Sequence, residues 1–223
     1  MIEALTSPGA LPDRPPLSIR IGSFLDAYGT EFPFARFWRT DGDGFLSVVD
    51  GAATVLAGQS DVEEIRLFLS MLGVSSVMSD APLFDDRQRS LTVFCRIVEP
   101  VSMPFQDPDY ENAYQVLSQA FSMPPFDVWY ADVCHRVRHG TAVVSVAPWA
   151  AFFAARHADA LLLTGIAVDP DHRRQGLASR LLEGAYRCGV TSVYAIAEDD
   201  CAASFYHRNG FTVQGQIYYY EEG

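Results

Sequence analysis

Residues 168–179 bring two adjacent arginines, Arg173 and Arg174, next to Gln175 and a glycine, Gly176. Leu177 and the small residues Ala178 and Ser179 follow. An apolar run precedes this stretch and an amphipathic one follows, so it reads as a strand-to-helix turn. The first amides of a helix have no intrahelical partner, and with the helix dipole they favour anions such as phosphate. Gly176 removes the Cβ that would block close approach, and the arginines add fixed positive charge in a chain of net charge −12. The same residues also fit an ordinary strand–loop–helix connection with a solvated arginine pair. A second polar grouping, Asp132, His135, Arg136 and His139, falls on one helical face opposite Trp129, Val133 and Val137. That is the pattern of a solvated stripe.

Composition narrows the setting. The chain has 223 residues, 49% hydrophobic and 20% charged, enough for one large or two small globular domains. Its acidity disfavours binding to nucleic acid through a general field and mildly favours a cationic partner such as an amine, though solubility alone would explain it. Cys95, Cys134, Cys188 and Cys201 contain no C-x-x-C pair and no Cys/His cluster. No metal site and no disulfide framework are expected, and the chain reads as cytoplasmic with reduced thiols. The proline-bearing start is unlike a signal peptide. The apolar run 142–155 is too short for a membrane span and is broken by Pro148, so no membrane partner is expected.

The elements that would hold the turn follow from hydrophobic period and turn residues. Helices are expected at 110–121, 127–138, 176–188 and 202–208. Strands are expected at 141–147, 150–155, 160–168 and 191–197, with a final strand pair within 211–220. This is an antiparallel meander feeding a strand–helix–strand crossover. Upstream, residues 1–16 read as a loose tail including Pro8, Pro12, Pro15 and Pro16. Strands follow at 34–39, 45–49 and 52–56, separated by Asp/Gly turns. A helix opens on a Ser60/Glu63 capping box and stops at Gly73, and 74–78 is a strand. A linker at 80–89, a strand at 91–98 and a loop set by Pro100, Pro104 and Pro108 lead into the second half. The expected division is residues 1–88 and 89–223.

Two segments together carry a family resemblance. Arg173, Gly176 and Ala178 resemble the coenzyme-A-binding motif Arg/Gln-x-x-Gly-x-Gly/Ala of the Gcn5-related N-acetyltransferases (GNAT). Downstream, Phe205-Tyr206-His207-Arg208-Asn209-Gly210-Phe211 resembles the family's Phe/Leu-Tyr-x-x-x-Gly-Phe. The resemblance covers roughly 89–223. It implies an α/β (α+β) fold with a mixed, mostly antiparallel sheet flanked by helices, and acetyl-CoA as co-substrate. The implied reaction is direct transfer of acetyl from the thioester to an amine of a small molecule or peptide. By the same resemblance, the backbone at Ile166, Ala167 and Val168 on a splayed strand would hold the pantetheine arm. Amides from Arg173 to Ser179 would wrap the pyrophosphate, and Tyr206 would protonate the leaving thiolate.

The match has gaps. The strand before the turn carries no carboxylate, only Thr164 being polar, so Glu198 and Asp199 are the candidates for the base. Asp199 also stands where the family often has asparagine, a coenzyme contact. In this fold the second helix borders the acceptor, which would let His135 orient or deprotonate it. The alternative from another class is a non-catalytic acyl-CoA sensor or protein-interaction module. Residues 34–79 repeat the element order of 141–197, which suggests a smaller, degenerate GNAT-like half; its turn, Ala57-Gly58-Gln59-Ser60, lacks the arginine and should bind no coenzyme A. Tyr218-Tyr219-Tyr220 would finish the sheet or pair with a second copy as a homodimer.

Overall fold

The computed structural model describes residues 1–7, 9–101 and 107–221. Pro8 of the expected tail and Pro104 of the expected loop lie outside them.

The first part contains β1 (Ile2–Ala4), α1 (Leu17–Tyr28), β2 (Ala35–Thr40), β3 (Gly44–Val49), β4 (Ala52–Leu56), α2 (Val62–Leu72) and β5 (Ser76–Ser79). The second contains β6 (Arg89–Ile97), α3 (Tyr110–Ser118), α4 (Phe126–Arg138), β7 (Ala142–Ala147), β8 (Ala150–His157) and β9 (Ala160–Val168). It ends with α5 (Leu177–Ala185), β10 (Ser192–Ala197), α6 (Asp200–Arg208) and β11 (Thr212–Glu221). All the strands join one eleven-stranded sheet in the order β1-β2-β3-β4-β5-β11-β6-β10-β9-β8-β7.

The two parts repeat one topology. In each, three antiparallel strands lead through a helix to a fourth strand parallel to the third: β2-β3-β4-α2-β5 and β7-β8-β9-α5-β10. They meet by exchanging strands. β6, which follows the first part in sequence, lies between β10 and β11, and the last strand β11 returns to pair with β5. The expected final strand pair is therefore one ten-residue strand, because its neighbours are supplied by distant segments.

The pleat sorts the core into two layers. On one face α2 packs on Leu46, Val48, Val55 and Val77, and α5 and α6 pack on Phe152, Leu161, Leu163, Val193 and Ala195. On the other, α3 and α4 cover Ala142, Ala151 and Ala167, while α1 bridges both parts. Leu17, Ile21 and Leu25 of α1 pack on Phe37, Phe45, Leu91, Val93 and Ile217, and Ile19 packs on Ala155 and Leu162. The His157 ring nitrogen is 2.7 Å from Asp26, which ties α1 to β8.

Sequence pattern alone leaves α1 unread. Residues buried around it include Leu17, Ser18, Ile19, Ile21, Gly22, Ser23, Leu25 and Ala27, so no polar face marks the period. The expected loose tail contains β1, paired with β2. The N-cap of α2 is Asp61, whose side chain accepts from Glu63 N, and Ser60 Oγ donates instead to Asp41 O. Gly73 ends α2 in the left-handed region as expected.

Candidate functional site

The site begins where two parallel strands part. β9 and β10 are in register from Ala160↔Ser192 to Leu163↔Ala195 and not beyond. β10 continues against β6 to Ala197↔Thr92, and β9 continues against β8 to Val168↔Ala150. A wedge opens between Thr164–Val168 of β9 and Ile196-Ala197 of β10, leaving backbone edges to be satisfied from outside the sheet. A bulge sits at its vertex. Phe153 pairs with Gly165 and Ala154 with Leu163, so Thr164 is the extra residue, and its hydroxyl donates to Phe153 O at 3.1 Å. Ile166 and Val168 turn toward the core that also holds Tyr206 and Leu177, while Ala167 turns toward α3 and α4.

Past the open end of the wedge the chain makes the arginine turn, which is braced from several sides. Asp169 N donates to Trp149 O at 2.9 Å. The Asp169 carboxylate accepts from Asp171 N at 3.0 Å and lies 3.0 Å from His172 Nδ1. Its hydrogen bond to His172 is the main influence holding it below the usual carboxylate range, with help from the Asp171 amide and the Gln119 side chain. Trp149 stacks on His172. Arg173 Nε donates to Val168 O at 3.3 Å, and Arg180 donates to Gln175 O at 3.3 Å.

Arg174 and Gly176 both take positive φ, 63° and 73°, which curls the loop and delivers it to α5. Gly176 is the N-cap, without a side-chain capping bond or an acidic first turn. The amides of Leu177, Ala178 and Ser179 thus face an uncapped, uncountered helix start beside two exposed arginines. A Cβ at Gly176 would meet no protein atom within 4 Å; the glycine serves the turn's φ and keeps that space clear.

Tyr206 lies in α6 and is 6% exposed. Its ring centroid is 5.7 Å from Phe94 and 5.3 Å from Phe211. Burial pushes the phenol up to about 12, so it stays a proton donor at any ordinary pH. Its carbonyl accepts from the amides of Asn209 and Phe211. The Tyr-x-x-x-Gly-Phe spacing is thus also what closes α6, with Gly210 at φ 78°.

The remaining candidates are placed differently. Asp199 is the N-cap of α6, accepting from Ala202 N at 2.7 Å. Glu198 is exposed at the end of β10. His135 faces α1: its Nε2 is 3.0 Å from Ala27 O and its ring stacks on Tyr28 at 4.6 Å. The expected solvated stripe on α4 is instead partly covered by α1, which leaves His139 exposed. Arg136 is 3% exposed, donates to Ser23 Oγ at 3.0 Å, pairs with Asp132 at 3.5 Å and lies 4.1 Å from the Phe24 ring. Tyr28 donates to Asp132 at 2.7 Å.

Three contributors were not legible as site residues: Trp149, Gln119 and Phe121. Phe121, just past α3, lies against Gly165, where an added Cβ would stand 3.2 Å from its ring. A glycine inside an apolar strand is a signal of a bulge or close approach, and Gly165 is both.

A wedge between parallel strands thus opens onto an arginine-bearing αL turn, with a buried tyrosine in the adjoining core. Residues 127–213 match the family model described as "Acetyltransferase (GNAT) domain". Among solved structures, the chain is similar to a GCN5-related N-acetyltransferase from Kribbella flavida, with TM-score 0.61 and 14% identity over 95% of this chain and 97% of that one. It is also similar to one from Sphaerobacter thermophilus, with TM-score 0.55 and 13% identity over 99% and 95%. A third is a tandem GNAT protein from the clavulanic acid biosynthesis pathway, with TM-score 0.53 and 14% identity over 100% and 98%. At these identities the likeness is one of fold, and the tandem relative fits the repeated topology. No curated protein sequence matches significantly. Among the described residues, no helix is long and apolar enough to cross a membrane.

Proposed function

We propose that the chain is an acetyl-CoA-dependent N-acetyltransferase acting on an amine of a small molecule or peptide, with residues 1–88 as an accessory half. The observation that supports this best is the wedge between β9 and β10, which opens onto the turn at Arg173–Gly176. In this reading the pantetheine arm lies along Ile166, Ala167 and Val168, pairing with the free strand edge as another strand would. The pyrophosphate sits on the amides from Arg173 to Ser179, flanked by the two guanidinium groups.

The chemistry is amine attack on the thioester carbon, collapse of the tetrahedral intermediate and departure of the thiolate. A backbone amide of the wedge near Ile166 supplies the oxyanion donor. Tyr206, held protonated by burial, gives its proton to the thiolate. The amine's own proton leaves through water or Glu198, whose exposed carboxylate stands at the end of β10. Asp199 is committed to capping α6 and serves the site by fixing that helix.

The test is calorimetric titration with acetyl-CoA of the wild type and of Gly176→Glu. Binding by the wild type that is lost in the variant supports the reading, with a melting scan confirming that the variant folds. No binding by the wild type would leave the interaction-module reading in its place. That second reading draws on the absence of a carboxylate along Thr164–Val168.

A further inference from the structure

We infer that Phe121 fixes the size of the acyl group, closing the vertex of the wedge to chains longer than acetyl. The inference rests on the coenzyme reading above, which sets the direction. With the pyrophosphate at the turn near Gly176 and the arm running back along Val168 and Ile166, the thioester arrives at the vertex, at Thr164 and Gly165. That is where β9 rejoins β10 at Leu163↔Ala195.

Phe121 occupies that place from the α3 side. An added Cβ on Gly165 would lie 3.2, 3.5 and 3.6 Å from three atoms of the Phe121 ring, so the ring rests on the bare backbone of the bulge. Gly165, with no side chain, lets it do so. Phe121 is 40% exposed, so it bears on the strand without being enclosed.

The segment that carries the ring is tethered on both sides. Phe121 N donates to Leu117 O at 3.0 Å at the end of α3. Beyond it, Tyr114 OH donates to Pro124 O at 2.9 Å, and Pro125 is the N-cap of α4. The ring bears on the strand backbone from a tethered segment, and an apolar surface so placed rejects one extra methylene by roughly tenfold or more.

The experiment titrates coenzyme A, acetyl-CoA and butyryl-CoA into the wild type, Phe121→Leu and Phe121→Ala, and needs no acceptor. The wild type should bind butyryl-CoA at least ~10-fold more weakly than acetyl-CoA. Phe121→Ala should bring the two within about threefold, with Phe121→Leu between. Affinity for coenzyme A itself should not change, because nothing in it reaches past the sulfur. An unchanged acyl preference in both variants would overturn the role of Phe121 and leave the coenzyme site standing. Failure of the wild type to bind coenzyme A would overturn both.

Discussion

The indole of Trp149 lies flat on the imidazole of His172, with ring centroids 4.1 Å apart and planes within 3° of parallel. The pair joins the β7–β8 hairpin to the turn that would hold the pyrophosphate, and Asp169 is bonded to both ends of it. Aromatic pairs contribute about 0.5–1.5 kcal/mol beyond burial. Trp149→Ala should therefore weaken acetyl-CoA binding by roughly 2- to 12-fold while costing little thermal stability, since the indole is 47% exposed. Calorimetry on the variant checks this; unchanged affinity would mean that the backbone bonds alone set the turn.

Tyr206 should behave as an acid that does not run out. Its folded value, about 12, is above the ordinary phenol value of 10. The stability it contributes is therefore fully present below pH 10 and lost as pH rises from 10 through 12. The pH profile of kcat should show no fall between pH 7 and 10 attributable to this group. Tyr206→Phe should lower kcat by about 10²- to 10⁴-fold if the phenol is the proton donor, and leave the affinity for coenzyme A near the wild-type value. Loss of affinity with kcat retained would assign the hydroxyl to packing.

Each chain should bind one coenzyme A, in the second half only. In the first half, β4 and β5 stay paired to Val55↔Ser79, the end of β5 and one residue short of the end of β4, so no comparable wedge forms. Asp80 closes the gap beyond: its carboxylate accepts from Ala57 N at 2.7 Å and pairs with Arg14 at 2.8 Å. The turn at Gly58 is pinned to the β2–β3 turn, with Gln59 N donating to Gly42 O at 3.0 Å. Asp61, Glu63 and Glu64 occupy the start of α2 and repel anions. A calorimetric stoichiometry of two would contradict this.

Arg136 should be among the most sensitive positions for stability. It is the buried guanidinium that ties α4 to α1, and its Nε has no partner. Arg136→Met removes the cation opposite Asp132 and the donor to Ser23. Losing one member of a buried pair costs about 3–5 kcal/mol, and the lower end applies here because Asp132 is 36% exposed. A shift in the urea midpoint measures it. A cost under ~1 kcal/mol would show that the α1–α4 contact rests on its apolar residues.

What local signals encode was legible without coordinates. The meander, the crossover and the arginine turn follow from apolar period, Gly and Pro, because each is settled within a dozen residues of chain. The strand 160–168 coincides with β9, and helices 127–138 and 202–208 with α4 and α6 to within a residue or two. The Arg-x-x-Gly-x-Ala and Tyr-x-x-x-Gly-Phe patterns were readable because their geometry is local: φ at Gly176 and Gly210, and the closing bonds of Tyr206.

Long-range choices were not legible. Nothing in residues 17–28 announces a helix, because α1 is buried on several sides and its partners are far away in sequence: Ile19 packs on Ala155 and Leu162. The polar stripe on α4 reads as a solvated face until α1 covers part of it. The single strand β11 reads as a strand pair within 211–220, because its true partners, β6 and β5, reach it from earlier in the chain. Tertiary structure also decided the wedge. Pairing of β9 with β10 stops at Leu163, five residues short of the end of β9, while pairing of β4 with β5 runs to the end of β5. Which strands part is fixed by their pairing with β8 and β6 on either side, a long-range choice.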